Sequence, residues 1–480
     1  MPLKPPPDQD IVVVGATGDL AHRKLLPALY NLGVRDLLPA QGKIIGAAPF
    51  GWSDDKFRDF ARDAVTKFSR TGIDNARFGQ FAQRLRFAPL MQGDDLSPLQ
   101  PHLTQHNRIV YLAVPPSAFE PLITGIGAAG LADTTRIIIE KPFGHDLASA
   151  RDLNALLHRV VPEDRIYRID HYMGKETVQN LIVLRFGNAV FARLWNRDAI
   201  ERVEITVAEE LSVDGRGPLY EQIGALRDIV QNHMFQLLAL TTMEPPNSFD
   251  AEALRNEKVK VLNSIIPIDP RHVVRGQYAT GEVNGERVDG YREEPGVSPG
   301  SNTETFVALR LELESWRFSG VPFFLRTGKR LPDRDTRIVI VFRDVALHLF
   351  RHAGVRHLDS NRLVVRIQPD EGITLRFVAK RPGPDIDVEP VDMDFSYDTS
   401  FRVSPPEAYE RLLHDAMVGD HTLFIREDEV EAGWAAVAPV LAAPPPVHLY
   451  AAGTWGPSEA DAIPRPWHWH NPEPEPEQPS

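Results

Sequence analysis

Ile11-Val12-Val13-Val14-Gly15-Ala16-Thr17-Gly18-Asp19-Leu20 is the stretch on which the fold turns. A β-branched run ends in a Gly-x-x-Gly turn, and the spacing of Leu25, Leu26, Leu29 and Tyr30 that follows is helical. Strand, turn and helix in that order direct backbone N–H groups and a helix N-terminus at one point, which suits a pyrophosphate. The glycine spacing alone is a weak signal because the full G-x-G-x-x-G pattern is absent; its setting between strand and helix supports it. Moving outward, 43–46, 108–114 and 136–140 read as further apolar strands, with long helical patterns between them. Continuous apolar strands alternating with helices imply a parallel sheet covered on both faces. Residues 1–175 are therefore expected to form an α/β, doubly wound, Rossmann-like dinucleotide-binding domain.

Beyond residue 175 the pattern changes. Strands are expected at 203–208, 305–311, 337–342, 363–367 and 373–377, mostly without crossover helices, and Pro369-Asp370-Glu371-Gly372 reads as a hairpin connection. This predicts an α+β second domain over 176–465: a mainly antiparallel sheet with helices on one face, binding substrate. The remaining 466–480, with the acidic, proline-rich Asn471-Pro472-Glu473-Pro474-Glu475-Pro476-Glu477, is expected to be disordered.

Composition narrows the function. A formal charge of -13 argues against nucleic acid as a partner, so an anionic ligand must be met by a local cluster of Lys and Arg. No apolar run approaches the roughly 20 residues of a membrane helix. There is no Cys, hence no thiolate metal site and no Cys nucleophile. Met1-Pro2-Leu3-Lys4-Pro5-Pro6-Pro7 lacks the apolar core of a secretory signal, and cytoplasm is the expected location.

Arg168-Ile169-Asp170-His171-Tyr172-Met173-Gly174-Lys175-Glu176 packs an acid, an imidazole and an ammonium beside a glycine that permits close backbone approach. It reads as an active site. Lys141, in Glu140-Lys141-Pro142-Phe143-Gly144, ends a strand at the carboxyl edge of the parallel sheet, where ligands bind in such folds. In Val203-x-Ile205-x-Val207-x-Glu209 the glutamate shares parity with the apolar residues, so a regular strand turns it toward the buried side. His233 lies on one helical face with Leu226, Val230 and Leu237, and by itself reads equally as a buried structural histidine.

Together with the Gly15 loop and Arg227-Asp228-Ile229-Val230-Gln231-Asn232-His233, the Arg168 to Glu176 run closely resembles glucose-6-phosphate dehydrogenase, over about Ile11 to Ile463. The resemblance implies oxidation of glucose 6-phosphate to 6-phosphoglucono-1,5-lactone with hydride transfer to NADP or NAD. It implies His233 as the base and Asp170 as the acceptor of the other ring N–H; read by itself, Asp170 also allows a salt bridge to Arg168 or another cation. His171, Tyr172 and Lys175 are implied to bind the phosphate, with Lys329 and Arg334 closing on it. Lys141, Glu209 and Asp228 are implied to contact the sugar, Lys141 meeting the nicotinamide as well. Asp228 is awkward, because five residues of α-helix place it roughly 140° around from His233.

For the dinucleotide the resemblance implies Gly15, Ala16, Thr17, Gly18, Asp19 and Leu20 together with Lys24, a lysine also associated with substrate charge. One departure bears on specificity. The family's usual arginine for a 2′-phosphate falls at Pro49, in Ala47-Ala48-Pro49-Phe50, so at most a modest preference for NADP over NAD is expected. No metal is expected, since a histidine base needs no Lewis acid. The resemblance further implies a homodimer or homotetramer assembled through the large sheet. Two other functions fit the same residues: a dehydrogenase for another aldose, and a non-catalytic sugar-phosphate or nucleotide sensor of this fold.

Overall fold

The computed structural model describes residues 3–353, 355–401 and 407–472; the acidic, proline-rich stretch from 473 on, expected to be disordered, lies outside the described residues. The chain forms two compact units. One gathers residues up to 175 with 246–256 and 407–431, and the other gathers 176–245, 257–401 and 432–472.

The first unit is built on six strands, β1 (Asp10–Val14), β2 (Ile44–Ala48), β3 (Leu85–Pro89), β4 (Arg108–Leu112), β5 (Thr135–Glu140) and β6 (Ile166–Ile169). They run parallel in the order β3-β2-β1-β4-β5-β6. β1 and β2 are buried along their whole length, as strands covered on both faces must be. The flanking helices show why the sequence folds this way. The Asp54–Phe68 helix starts where the Ser53 hydroxyl accepts the Lys56 amide, and it buries Phe57, Ala61, Ala64 and Val65 at helical spacing. The strand order reverses between β1 and β4, which is where ligands bind in sheets of this kind.

The second unit holds β7 (Ile200–Ala208), β8 (Val273–Ala279), a small hairpin of β9 (Gly281–Val283) and β10 (Glu286–Val288), then β11 (Phe306–Leu311), β12 (Phe323–Gly328), β13 (Asp335–Phe342), β14 (Arg362–Gln368), β15 (Gly372–Lys380), β16 (Val388–Ser396) and β17 (Val447–Ala451). Its large sheet runs β16-β15-β14-β13-β7-β12-β11-β8-β17. All neighbours are antiparallel except β7 with β12 and β8 with β17. The sheet is thus mixed and mostly antiparallel, and β14 and β15 form the expected hairpin.

A helix packs on the centre of this sheet, and the opposite face is covered there by a non-helical segment. The Leu226–Met234 helical segment packs on β7 and β12. Residues 467–471, expected at the start of a disordered tail, are instead held on side chains of opposite parity. Arg202 lies 5.2 Å from the Trp467 ring, and Arg326 lies 4.8 and 4.6 Å from the Trp455 and Trp469 rings. The His470 amide and Nδ1 reach the Glu204 carboxylate at 2.9 and 2.8 Å, and Arg326 donates to Asn471 at 2.8 Å. The Trp467 and Trp469 rings on Arg202 and Arg326, with the His470 contacts to Glu204, hold this segment: each cation–π contact adds about 0.5–2 kcal/mol.

Candidate active site

In the first unit the 15–20 loop leaves β1 at the point where strand order reverses. Gly15 has a φ of +86°, and a Cβ there would stand 2.2 Å from the Ala113 carbonyl oxygen. Only glycine fits this turn. The Gly15 and Ala16 amides donate to the Ala47 carbonyl at 2.8 and 3.2 Å, and the Gly18 amide donates to Gly15 at 2.9 Å. These three N–H groups hold the loop's own shape. Lys24 follows within a π-helical turn, Ala21–Leu25, and its ammonium donates to Glu407 at 2.9 and 3.1 Å.

At the end of β2, Pro49 precedes a half-exposed Phe50. Trp52 packs 5.4 Å from Phe60 and 5.7 Å from Phe87, and the Lys56 ammonium sits 4.7 Å from the Trp52 ring.

β6 ends at Ile169 and the chain enters a tight turn. Asp170 is buried and its Oδ1 accepts the Tyr172 amide at 2.9 Å. Amides of Met173, Gly174 and Lys175 return to the carbonyls of Asp170, His171 and Tyr172 at 3.0, 3.3 and 3.1 Å. The turn therefore presents His171, Tyr172 and Lys175 from one short segment, with the Lys175 ammonium 5.0 Å from the Tyr172 ring. Arg168 spends its guanidinium elsewhere, on Glu163 at 2.6 Å and Asn154 at 2.8 Å.

Lys141 directly follows Glu140, the last residue of β5. The Glu140 carboxyl accepts the hydroxyls of Tyr111 at 2.5 Å and Tyr409 at 3.2 Å. Burial raises its pKa, and the nearby Asp170 charge adds to this against the opposing pull of the two tyrosines and Lys141. Sequence reading missed Glu140, Tyr111, Glu407 and Tyr409. Glu140 adjoined a chosen lysine and could have been found, whereas Tyr409 lies 269 positions away and only the fold brings it near.

In the second unit the catalytic candidate lies on an unusual helix. Leu226–Met234 is π-helical, and with more residues per turn than an α-helix it brings residue i+5 well inside the roughly 140° that an α-helix would put between Asp228 and His233. The sequence-based objection to Asp228 disappears with the helix type. Glu209 lies just past β7, continuing the parity that faces this helix. It accepts from Lys329 at 2.7 Å, and the Lys329 ammonium is 5.4 Å from the Tyr220 ring. Tyr220, also missed, is buried; burial and then the Asp228, Glu209 and Glu304 carboxylates raise its hydroxyl pKa well above the usual value. His233 is 1 % exposed. Arg334 is different: it is exposed on the loop before β13 and donates to Gln368 at 3.2 Å.

A reversing parallel sheet with a glycine-gated loop at the reversal, followed by a mixed sheet bearing paired charges, defines a nicotinamide-dinucleotide oxidoreductase of two-domain type. Residues 12–180 match the glucose-6-phosphate dehydrogenase NAD binding domain and residues 182–469 match the glucose-6-phosphate dehydrogenase C-terminal domain. The chain belongs to the glucose-6-phosphate dehydrogenase family. It is 44% identical over 470 residues to glucose-6-phosphate 1-dehydrogenase 2 of Mycobacterium bovis, covering 94% of this chain and 91% of that one. It is 45% identical to the glucose-6-phosphate 1-dehydrogenase of Aggregatibacter actinomycetemcomitans over 94% of this chain and 95% of the relative. Among solved structures, the Mycobacterium avium glucose-6-phosphate 1-dehydrogenase superposes with a TM-score of 0.86 at 39% identity, over 98% of this chain and 99% of that one. A glucose-6-phosphate dehydrogenase in complex with its substrate superposes at 0.87 and 33% identity, over 98% and 100%.

Proposed function

We propose that this protein oxidises glucose 6-phosphate at C1 to 6-phosphoglucono-1,5-lactone. Its relatives carry that activity in their names, and one observation in this chain supports it most: Asp170, His171, Tyr172 and Lys175 issue from a single turn at the carboxyl end of the parallel sheet. A phosphate monoester brings nearly two negative charges, and Lys175 with the His171 ring N–H groups answers them locally in an otherwise acidic protein. Lys329 and Arg334 complete the phosphate contacts in this reading, and Lys141, Glu209 and Asp228 bind the sugar.

His233 takes the proton of the C1 hydroxyl, and Asp170 accepts the second ring N–H, fixing the tautomer and stabilising the imidazolium that forms. A bound nicotinamide ring supplies the hydride acceptor. Glycine at position 15, with no Cβ to strike the Ala113 carbonyl, permits the tight turn into the helix N-terminus that suits a pyrophosphate. Thr17, Asp19 and Leu20 supply the remaining contacts of the loop, with Lys24 beside them.

Both NADP and NAD serve as acceptor, with at most a modest preference for NADP. Pro49 removes the guanidinium that would pair with a 2′-phosphate, while Lys56 over Trp52 offers a cation in the segment that follows β2. Comparing kcat/KM for the two dinucleotides tests this, and a thousandfold NADP advantage refutes it. Assembly is through the open edge of the large sheet, where β16 exposes Val391 and Met393, giving a homodimer or homotetramer. No described helix is long and apolar enough to cross a membrane, and the reaction is assigned to the cytoplasm.

The deciding experiment follows reduced-nicotinamide absorbance with glucose 6-phosphate, another aldose phosphate and free glucose, each with NADP and NAD. Turnover on glucose 6-phosphate well above the other sugars is expected. Ligand binding without any reduced cofactor favours the sensor function instead.

A further inference from the structure

The 407–410 segment, remote in sequence from every motif above, meets three of them in the first unit. Glu410 anchors it: its buried carboxylate accepts from Arg70 Nε and Nη2 at 2.6 and 3.0 Å and from Asn31 at 3.0 Å. Each of the three residues before it meets a different one of these motifs. Glu407 pairs with Lys24 of the nucleotide helix at 2.9 Å. Ala408 packs so closely on Gly174 that a Cβ there would stand 2.9 Å from the Ala408 Cβ. Tyr409, 8% exposed, donates its hydroxyl to Glu140 at 3.2 Å. Its ring lies parallel to the His171 imidazole, 6° apart in plane with centroids 6.5 Å apart.

We propose that Tyr409 is a positioning residue for the sugar phosphate: through its hydroxyl on Glu140 it fixes the strand end that carries Lys141, and through its ring it backs His171. One side chain thus sets the orientation of two ligand contacts that come from different strands. The physical basis is pre-organisation. A lysine and an imidazole on flexible stems lose rotamer freedom when they grip a phosphate, and a rigid neighbour that limits them beforehand lowers that loss. Tyr111 donates to the same Glu140 oxygen at 2.5 Å, so its hydroxyl tests the Glu140 arm of the device.

This inference rests on the assignment of Lys141 and His171 as substrate contacts, and the test separates the two. KM and kcat for glucose 6-phosphate, and Kd for the dinucleotide, are measured for Tyr409→Phe, Tyr409→Leu, Tyr111→Phe, His171→Ala and the double variant Tyr409→Leu/His171→Ala. Tyr409→Phe keeps the ring and loses the hydroxyl, and it is expected to raise KM about 3–10-fold. Tyr409→Leu loses both and is expected to raise it by about 30-fold or more, with kcat and dinucleotide Kd within about threefold of wild type. Tyr111→Phe should resemble Tyr409→Phe rather than Tyr409→Leu. In the double variant the two effects should combine to less than their product, because the ring acts through His171. If His171→Ala raises KM but both Tyr409 variants leave it within twofold, or lower kcat and dinucleotide affinity equally, the positioning role is overturned. If His171→Ala itself leaves KM unchanged, the underlying assignment of His171 fails.

Discussion

The 15–20 loop and the 170–175 turn each follow a strand of the same parallel sheet, and they are built by opposite means. The loop is shaped by backbone: Gly15 is forced by its approach to Ala113, and three amides close the turn on Ala47 and Gly15. The turn is a display of side chains, with Asp170 buried beneath it and Tyr409 behind it. A backbone-built site tolerates side-chain change but not a change of φ, whereas a side-chain-built site responds to each group it presents. That contrast also explains how Pro49 can replace an arginine without dismantling the nucleotide loop.

The largest effect expected from the side-chain-built region is on chemistry. Asp170→Asn should lower kcat by about 10²–10⁴-fold while KM for glucose 6-phosphate changes little, because a mis-set histidine tautomer acts in the transition state; steady-state kinetics would read this, and an unchanged kcat would remove Asp170 from the dyad. Next comes Lys175→Ala, expected to raise KM by about 10–100-fold through loss of a charge-assisted bond. An unchanged KM would argue against a phosphate contact.

The backbone-built loop should respond differently. Gly15→Ala is expected to weaken dinucleotide binding by about tenfold or more, since the new Cβ meets a carbonyl at 2.2 Å and φ is +86°. Thr17→Ala, by contrast, should cost less than about threefold; equal losses in the two variants, read by equilibrium titration, would erase the distinction between the regions.

In the second unit the effect falls on stability rather than on binding or turnover, at the clasp of His470 on Glu204. Burial would raise the Glu204 pKa, but the His470 hydrogen bonds and charge, with Arg202, hold it below the usual carboxylate value. A depressed carboxylate stabilises above its unfolded pKa of about 4.3, and that contribution is lost as pH falls through the lower folded value. His470→Ala should therefore cost about 1–3 kcal/mol near neutral pH and progressively less as the pH drops below about 4. Thermal midpoints of the two proteins measured across that range check the sign; a gap that widens in acid contradicts it.

Much of this organisation was legible in the sequence because it is local. The Ile11 to Val14 run, the glycine turn and the helix after it are contiguous signals, and the parallel sheet followed from repeating them. What sequence could not carry is what depends on long-range placement or on helix type. Residues 407–431 join the first unit, so Tyr409 and Glu407 had no local mark of importance. The 226–234 segment winds as a π-helix, which no apolar spacing announces, and Asp228 was set at the wrong angle from His233 for that reason. Strand parity placed Glu209 on the helix-facing side, yet β7 is covered on both faces, so parity chose between two buried sides rather than between buried and open.

The proton-abstracting role of His233 is the claim on which the mechanism depends, and the His233→Asn variant tests it most directly. With glucose 6-phosphate and saturating dinucleotide, its kcat should fall by about 10²–10⁴-fold while direct titration gives a sugar-phosphate Kd within about threefold of wild type. A His233→Asn protein that turns over at the wild-type rate would contradict the account.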